Sequence, residues 1–293
     1  MRANLQHERW ISRLLFASAA GGALVTLGLV VVLARGTVAF FGDVPLGAFL
    51  TDTVWSPTFA VPRFGILPLI SGTLLVTAIA AALAIPPAVA TAVFLDRIAG
   101  PRLQSALRST LAALAGLPTV AYGYFALTFV SPRLRALVPG TPVFTAATAG
   151  IVVAIMILPM LVLLVEQALG EVPGDLSDAA LALGATRTEA TLRVLLPAAA
   201  PGVLAAVGLS LSRAVGETMI VTLAAGAASN LSLDAFEPVL TMTAFLVQVS
   251  LGDTPPGTVA HYSLYAVAAT LFLITVTLNL ASRRLRARSP GSA

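Results

Sequence analysis

The chain alternates between long apolar stretches and short polar ones. A bilayer core of about 30 Å requires about 20 apolar residues of helix. Stretches of at least this length, most of them free of charge, therefore predict an all-α membrane protein, a polytopic bundle of six spans. They cover residues 14–34, 64–95, 109–132, 136–165, 201–225 and, within 254–282, a stretch that starts near His261.

Two further segments lie on the outer side of this predicted topology. Residues 35–63 are rich in Gly, Pro and aromatic residues and are too long for a tight turn. Residues 238–252 form an uncharged run that is short for a span and carries several polar side chains. We predict an outer-surface or re-entrant helix there.

Composition places the chain in the membrane class. Hydrophobic residues make up 58%, charged residues 10%, and the mean hydropathy is +0.95, whereas a soluble domain carries about 25% charged residues. With no Cys, disulfides and thiolate metal sites are excluded, and no metal or cofactor is expected. The net charge of +4 comes without a basic stripe among aromatics, so nucleic-acid binding is not expected. The first apolar run is long and lacks a cleavage site, so we expect no cleaved signal peptide.

The distribution of arginine predicts the orientation. All 17 basic residues are Arg. With a cytoplasmic N-terminus, the inner segments hold 12 of them, the outer segments hold Arg35, Arg63, Arg133 and Arg135, and Arg213 lies within a span. The positive-inside rule therefore predicts that both termini lie in the cytoplasm.

The polar interruption at residues 178–197 predicts two short helices separated by a sharp break. Asp175 and Asp178 are placed to accept from the free N–H groups of a first helix. Gly184 suits the left-handed residue that ends a helix. Thr186 and Glu189 form a capping box for the second helix, which we expect to end at Pro197 and Pro201.

The spacing within this loop resembles the cytoplasmic signature of ABC importer permeases, with Asp where Glu is usual. In that family the first helix docks into a groove of an ATPase subunit and couples ATP hydrolysis to transport. An ordinary capped helical hairpin is the alternative interpretation. The resemblance implies an ATPase-coupling role for Asp178, Ala179, Ala180, Gly184, Val194, Leu196 and Pro197.

The chain is not expected to hydrolyse ATP or to be an enzyme. A P-loop needs its Lys to reach the nucleotide phosphates, and there is no Lys in the sequence. Hydrolysis must therefore come from a partner chain. Neither a His-Glu-x-x-His nor a Gly-x-Ser-x-Gly motif is present, which argues against an intramembrane hydrolase.

Arg213 and Glu217 are the only charges that fall inside a predicted span. Arg213 lies roughly 16 Å along the helix from Gly202, near the bilayer midplane, where an Arg costs about 2.5–3.5 kcal/mol. Glu217, four residues later, is expected on the same helix face. A guanidinium fork matches two oxygens of a phosphate or sulfate, and a neighbouring carboxylate would offset its charge when the path is empty. A buried ion pair that holds two helices together is the alternative.

Several hydroxyl-bearing residues are weaker candidates for the same path. A Ser or Thr within a span more often bonds its own helix. These candidates are Thr73, Thr119, Tyr122, Ser212 and Thr218.

Three further segments resemble phosphate importer permeases. They are residues 64–74, which read FGILPLISGTL, residues 115–123, which read AGLPTVAYG, and residues 213–219, which read RAVGETM. The first and third are closer to the PstC type than to the PstA type. The resemblance implies a type I ABC importer permease fold in the bacterial inner membrane. It also implies a PstA-type second permease, two PstB-type ATPase subunits, an external phosphate-binding protein and contact with membrane lipid.

The resemblance also suggests a domain organisation. Residues 1–66 would hold a cytoplasmic segment, the first span and an outer loop. Residues 67–283 would form the permease core with a coupling loop at about 167–200, and residues 284–293 a basic cytoplasmic tail. A permease for sulfate or molybdate remains an alternative function. A proton-coupled secondary transporter is a more distant one, since such a protein has no ATPase to engage.

Overall fold

Helices account for almost all regular structure in residues 2–286, the part of the chain that the computed structural model describes. Within that part, five helices are long and apolar enough to cross a membrane, and a bent pair makes a sixth span if it is counted as one. The prediction of an all-α, multi-span protein is therefore confirmed. Most of the predicted basic tail, including Arg288, lies outside the described residues.

The first half of the chain contains two long helices and several short elements. In order they are α1 (Arg2–Asp43), α2 (Leu46–Thr51), β1 (Trp55–Ser56), β2 (Arg63–Phe64), α3 (Leu67–Arg97), α4 (Pro101–Ala115), α5 (Thr119–Phe125), a π-helical turn (Ala126–Val130) and α6 (Ser131–Leu137).

The second half contains three long helices separated by breaks. In order they are α7 (Ala146–Gly170), α8 (Gly174–Ala182), α9 (Arg187–Ala190), a π-helical turn (Thr191–Leu195), α10 (Leu196–Val215), α11 (Met219–Ala224), α12 (Met242–Gln248), a π-helical turn (Val249–Asp253) and α13 (Val259–Arg286).

The predicted third span, 109–132, is not one straight helix. Helices α4 and α5 meet at an angle of 86°. Pro118 lacks an N–H and would clash with the Leu114 carbonyl in a continuous helix, so α4 ends at Ala115 and α5 begins at Thr119. The Leu114 carbonyl accepts from the Leu117 N–H at 3.2 Å and from the Tyr122 hydroxyl at 3.1 Å, and the second bond spans the bend. Prolines elsewhere, such as Pro159 in α7, stay within their helices.

The predicted fourth span also begins later than its lack of charge suggested. Helix α7 starts at Ala146 rather than near residue 136, because α6 ends at Leu137 and an irregular segment follows. Thr145 caps α7, its hydroxyl accepting from the Thr148 N–H at 3.0 Å. The Ala146 N–H donates to the Glu237 carbonyl at 3.0 Å, so a distant segment completes this helix start.

The predicted fifth span is wrong at both ends. Pro197 and Pro201 do not end the second helix of the polar loop, because a continuous helix of 29 residues runs from Arg187 to Val215. Pro197 lies inside this continuous helix, two residues after the π-helical turn Thr191–Leu195. At the other end Gly216 caps α10, and α11 starts only at Met219. Glu217 therefore lies in a break between two helices.

The outer segment is more ordered than a loop. Helix α1 extends to Asp43, nine residues past the predicted end of the first span at residue 34. Strands β1 and β2 pair antiparallel, with Trp55 opposite Phe64. Asp52 and Arg63 form an ion pair at 2.6 Å. Partial desolvation raises the pKa of the Asp52 carboxyl. Hydrogen bonds from the Val54 N–H and the Arg63 guanidinium outweigh this effect and hold that pKa below its usual value.

The short helix predicted within 238–252 is present as an apolar helix at Met242–Gly252. Its first turn is buried in the bundle, and the ring of Phe245 contacts Trp55 with centroids 4.9 Å apart. The core of the bundle is the pair α3 and α7. At Gly150 of α7, an added Cβ would lie 2.6 Å from Ile79 of α3, so glycine allows the close approach of these two helices.

Candidate translocation and coupling sites

Arg213 lies in the last turn of α10, where a positive charge complements the partial negative charge of the helix end. Its side chain is exposed on the surface of the single chain. Its Nε donates to the Sδ of Met156 at 3.3 Å. Met156 lies on α7 and is almost fully buried. The thioether is a weak, neutral acceptor, so it orients the guanidinium without neutralising it.

No carboxylate approaches Arg213 within 4.0 Å in the part of the chain that the structure describes. The ion pairs found there are Asp52–Arg63, Asp96–Arg97 and Glu166–Arg108. A guanidinium has five N–H donors, and only one of those of Arg213 is engaged by Met156. The remaining fork is available to an anion.

Glu217 does not share a helix face with Arg213, contrary to the sequence-based expectation. Its side chain is buried, and its Oε1 accepts from the N–H groups of Met219 and Ile220 at 3.0 and 3.2 Å. The carboxylate therefore caps the start of α11. The Glu217 carbonyl accepts from the Thr243 hydroxyl at 2.7 Å, which ties the break to α12. Glu217 fixes the shape of the break beside Arg213 and does not neutralise that residue.

The weaker candidates on α10 and after it bond within their own segment. The Ser212 hydroxyl donates to the Gly208 carbonyl at 3.0 Å, and the Thr218 hydroxyl donates to the Gly216 carbonyl at 3.3 Å. Both side chains are half-buried.

The other three hydroxyl candidates divide into two groups. Thr73 is buried, and its hydroxyl donates to the Leu69 carbonyl at 2.8 Å and accepts from the Met242 N–H at 3.0 Å. It therefore holds α12 against α3. Tyr122 spans the bend between α4 and α5 through its bond to the Leu114 carbonyl. Thr119, half-buried, is the first residue of α5.

A second polar cluster joins α4 to α7. Glu166 is buried near the end of α7, and Arg108 of α4 contacts its Oε1 through Nη2 at 2.8 Å and Nε at 2.9 Å. Gln104 reaches the same oxygen at 3.4 Å. Glu166 falls one residue beyond the predicted end of the fourth span, so the charge pattern placed it in a loop. Neither Glu166 nor Met156 stood out in the sequence, because their partners lie 58 and 57 residues away, respectively.

The polar loop forms the predicted break between α8 and α9. Gly184 has φ +89°. The Gly184 N–H donates to the Leu181 carbonyl at 2.9 Å, and the Ala185 N–H donates to the Ala180 carbonyl at 3.1 Å, which is a Schellman motif. The capping box is also present, with the Thr186 N–H donating to Glu189 at 2.9 Å. The stop at Gly184 and the capping box at Thr186 are confirmed. The predicted start at Asp175 and Asp178 is wrong, because α8 begins at Gly174 after Pro173 and has no side-chain cap.

Helix α8 presents an apolar surface outward. Leu183 is 91% exposed, and Leu176 and Leu181 are each about 40% exposed. Among the residues of the signature, Asp178, Ala179, Gly184 and Pro197 are exposed, Val194 and Leu196 are half-buried, and Ala180 is buried. Exposed leucines next to polar residues on a well-capped helix are typical of a surface that binds another protein.

Comparison with known proteins identifies the family. Residues 84–289 match the family model described as binding-protein-dependent transport system inner membrane component. The chain belongs to this family. The match contains both Arg213 and the loop with α8 and α9, so the two candidate sites lie in the family's characteristic region.

Individual family members match over most of their length. The chain is 32% identical over 240 residues to the probable ABC transporter permease protein YqgH of Bacillus subtilis strain 168, covering 82% of this chain and 77% of that protein. It is 31% identical over 263 residues to the phosphate transport system permease protein PstC of Mesorhizobium japonicum, covering 82% and 78%.

A solved structure supports the fold. The crystal structure of a bacterial alginate ABC transporter in complex with an alginate pentasaccharide-bound periplasmic protein superposes with a TM-score of 0.65. The match covers 96% of each chain at 13% sequence identity. The fold is that of a type I ABC importer permease, as the sequence predicts.

Proposed function

We propose that this chain is a PstC-type permease subunit of an ATP-driven importer of inorganic phosphate. The observation that carries the substrate is the similarity to phosphate transport system permease PstC, at 31% identity over 82% of the chain. The exposed guanidinium of Arg213 fits that substrate, since its fork of donors suits two phosphate oxygens.

The path requires a second chain. Arg213 is on the surface of this chain rather than inside its own bundle, and an Arg at membrane depth needs a water-filled cavity or a partner. A PstA-type permease that packs against this surface would enclose the guanidinium in a shared path. Neutral Met156 would leave the bound anion free to depart, as conduction requires.

The energy comes from a different pair of chains. Helix α8 inserts its exposed leucines into a groove on a PstB-type ATPase. One of two ATPase copies binds this chain, and the other binds the PstA-type permease. Thr186 and Glu189 stiffen the connection from α8 to the helix that carries Arg213. Motion of α8 is thereby transmitted along one continuous helix toward the path.

The orientation follows from this arrangement. The ATPase side is cytoplasmic, so α8 and both termini face the cytoplasm, in agreement with the arginine distribution. The hairpin β1–β2 and helix α12 then face outward, where an external phosphate-binding protein would deliver the substrate.

Purification of the chain from its native membrane tests the assembly. It should retain a second permease and a Walker-A ATPase, and a chain that purifies alone from an intact, transport-active membrane would contradict the proposal.

The structure does not place Glu217 where it could select phosphate over sulfate. A carboxylate facing the anion would favour phosphate, which has a proton to donate, over sulfate, which has none. Glu217 instead bonds backbone N–H groups. Selection between phosphate and sulfate or molybdate is therefore assigned to Arg213, the partner permease and the external binding protein.

Substituting Glu217→Gln tests this assignment. The amide oxygen of Gln can still cap α11, so we expect a loss of stability below about 1 kcal/mol. The ratio of phosphate to sulfate uptake by the reconstituted complex should stay within about twofold of the native ratio. Glu217→Ala, which removes the acceptor, should lower the melting temperature instead. A large fall in the uptake ratio of Glu217→Gln with normal stability would place the carboxylate in the path.

A further inference from the structure

A cleft of about 270 Å³ lies between the end of α3 and the start of α9, on the side of the bundle that carries α8. Two arginines from different elements line it, Arg97 at the last position of α3 and Arg187 at the first position of α9. Two guanidinium groups from separate helices therefore line the same cleft.

The positive charge of the cleft is only partly compensated. Arg97 pairs with Asp96, its Nε lying 2.6 Å from the carboxylate. Arg187 is exposed, and no carboxylate lies within 4.0 Å of its guanidinium in residues 2–286 as described. The nearby Glu189 carboxylate is taken up by the capping box with Thr186. One full guanidinium is therefore available to a ligand.

The remaining walls of the cleft combine hydroxyl and apolar groups. Thr188 lines it beside Arg187, and Ile98 and Leu192 line it on opposite sides. Ile98 is 70% exposed and Leu192 is 54% exposed. Both lie at the ends of membrane-spanning helices, where a bilayer changes from headgroups to acyl chains. The cleft thus offers donors for an anion next to an apolar surface.

We propose that this cleft binds the phosphate group of an anionic phospholipid, with Arg187 and Arg97 contacting the phosphate oxygens and Ile98 and Leu192 contacting the start of an acyl chain. Free inorganic phosphate would share the charged contacts but would leave the apolar walls uncovered. The charged and apolar contacts together therefore favour the phospholipid over free phosphate. The site is separate from Arg213 and does not depend on which solute the permease carries.

Lipid retention by the purified complex tests the site. The full complex is placed in nanodiscs of equal phosphatidylglycerol and phosphatidylcholine, and the lipids that survive detergent exchange are measured by native mass spectrometry. The native complex should retain phosphatidylglycerol in preference. Since a basic residue near an anionic surface contributes roughly 1 kcal/mol, Arg187→Gln should lower that retention about fivefold, and Arg187→Lys should keep most of it.

Arg193 provides the matched control, because it lies on the adjoining π-helical turn but does not line the cleft. Arg193→Gln should retain phosphatidylglycerol as the native complex does. Equal retention by Arg187→Gln and Arg193→Gln would overturn the proposal. So would displacement of the lipid by millimolar inorganic phosphate, or a loss of the ATPase from Arg187→Gln with lipid retention unchanged, which would make the cleft part of the ATPase contact.

Discussion

Substituting Arg213→Gln should abolish most phosphate uptake while leaving the complex assembled. The substitution removes the positive charge in the last turn of α10 and leaves a shorter, neutral polar side chain. A hydrogen bond to a charged group contributes about 1.5–3 kcal/mol, so its loss corresponds to roughly a 10- to 150-fold fall in uptake at low phosphate. Phosphate uptake into proteoliposomes measures the loss of transport, and copurification of the ATPase measures assembly of the complex.

Two substitutions at Met156 separate charge from packing. Met156→Leu keeps the volume of a buried side chain and removes only a weak acceptor, so uptake should fall only slightly. Met156→Glu would place a carboxylate beside Arg213 and should inhibit as strongly as Arg213→Gln. If Arg213→Gln transports phosphate with native kinetics, the guanidinium has a structural role and the path lies elsewhere.

Gly184→Val should uncouple ATP hydrolysis from transport. Gly184 has φ +89°, a conformation that costs an L-residue roughly 1–2 kcal/mol and a β-branched residue more. Nothing lies within 4 Å of an added Cβ, so the strain is in the backbone alone. The Schellman motif should open, α8 should lose its fixed angle to α9, and uptake should be lost while the chain still inserts into the membrane.

A glycine with the same backbone conformation in a different loop provides the control. Gly140 also has φ +89° and open space around it, but it lies in the loop between α6 and α7, away from α8. Gly140→Val should transport phosphate nearly normally, and Gly184→Asn should as well, because Asn tolerates the left-handed region. Coupled uptake by Gly184→Val at the native rate would remove the docking role from this loop.

Local chemistry made the loop at α8 and α9 predictable. Gly184 and the pair Thr186–Glu189 act through hydrogen bonds to neighbours within five residues, so their spacing alone specifies where one helix stops and the next begins. The long apolar helices were predictable for a similar reason, since their length and composition suffice to cross a bilayer.

The breaks within the spans were not predictable in this way. Pro118 bends the third span by 86°, whereas Pro159 and Pro201 do not interrupt their helices. Proline alone therefore does not specify a break, and the bend at Pro118 is accompanied by a bond from the Tyr122 hydroxyl to the Leu114 carbonyl across it. A lack of charge likewise cannot separate a membrane helix from a buried irregular segment, which explains why α7 begins ten residues later than expected.

The candidate path was predicted in part. Arg213 was recognisable as an unusual charge, but its environment was not. The sequence placed Glu217 beside it on a continuous helix, and the break at Gly216 instead turns that carboxylate toward α11. Met156, the residue that contacts Arg213, is one methionine in an apolar stretch and carries no signal of its own.

The role of this chain in an ATP-powered path for phosphate is tested most directly by uptake of radiolabelled phosphate into proteoliposomes that contain the purified complex and the external binding protein. We expect uptake with ATP, none with a non-hydrolysable ATP analogue, and little with Arg213→Gln. Phosphate uptake at the same rate without any ATP-hydrolysing subunit would contradict it.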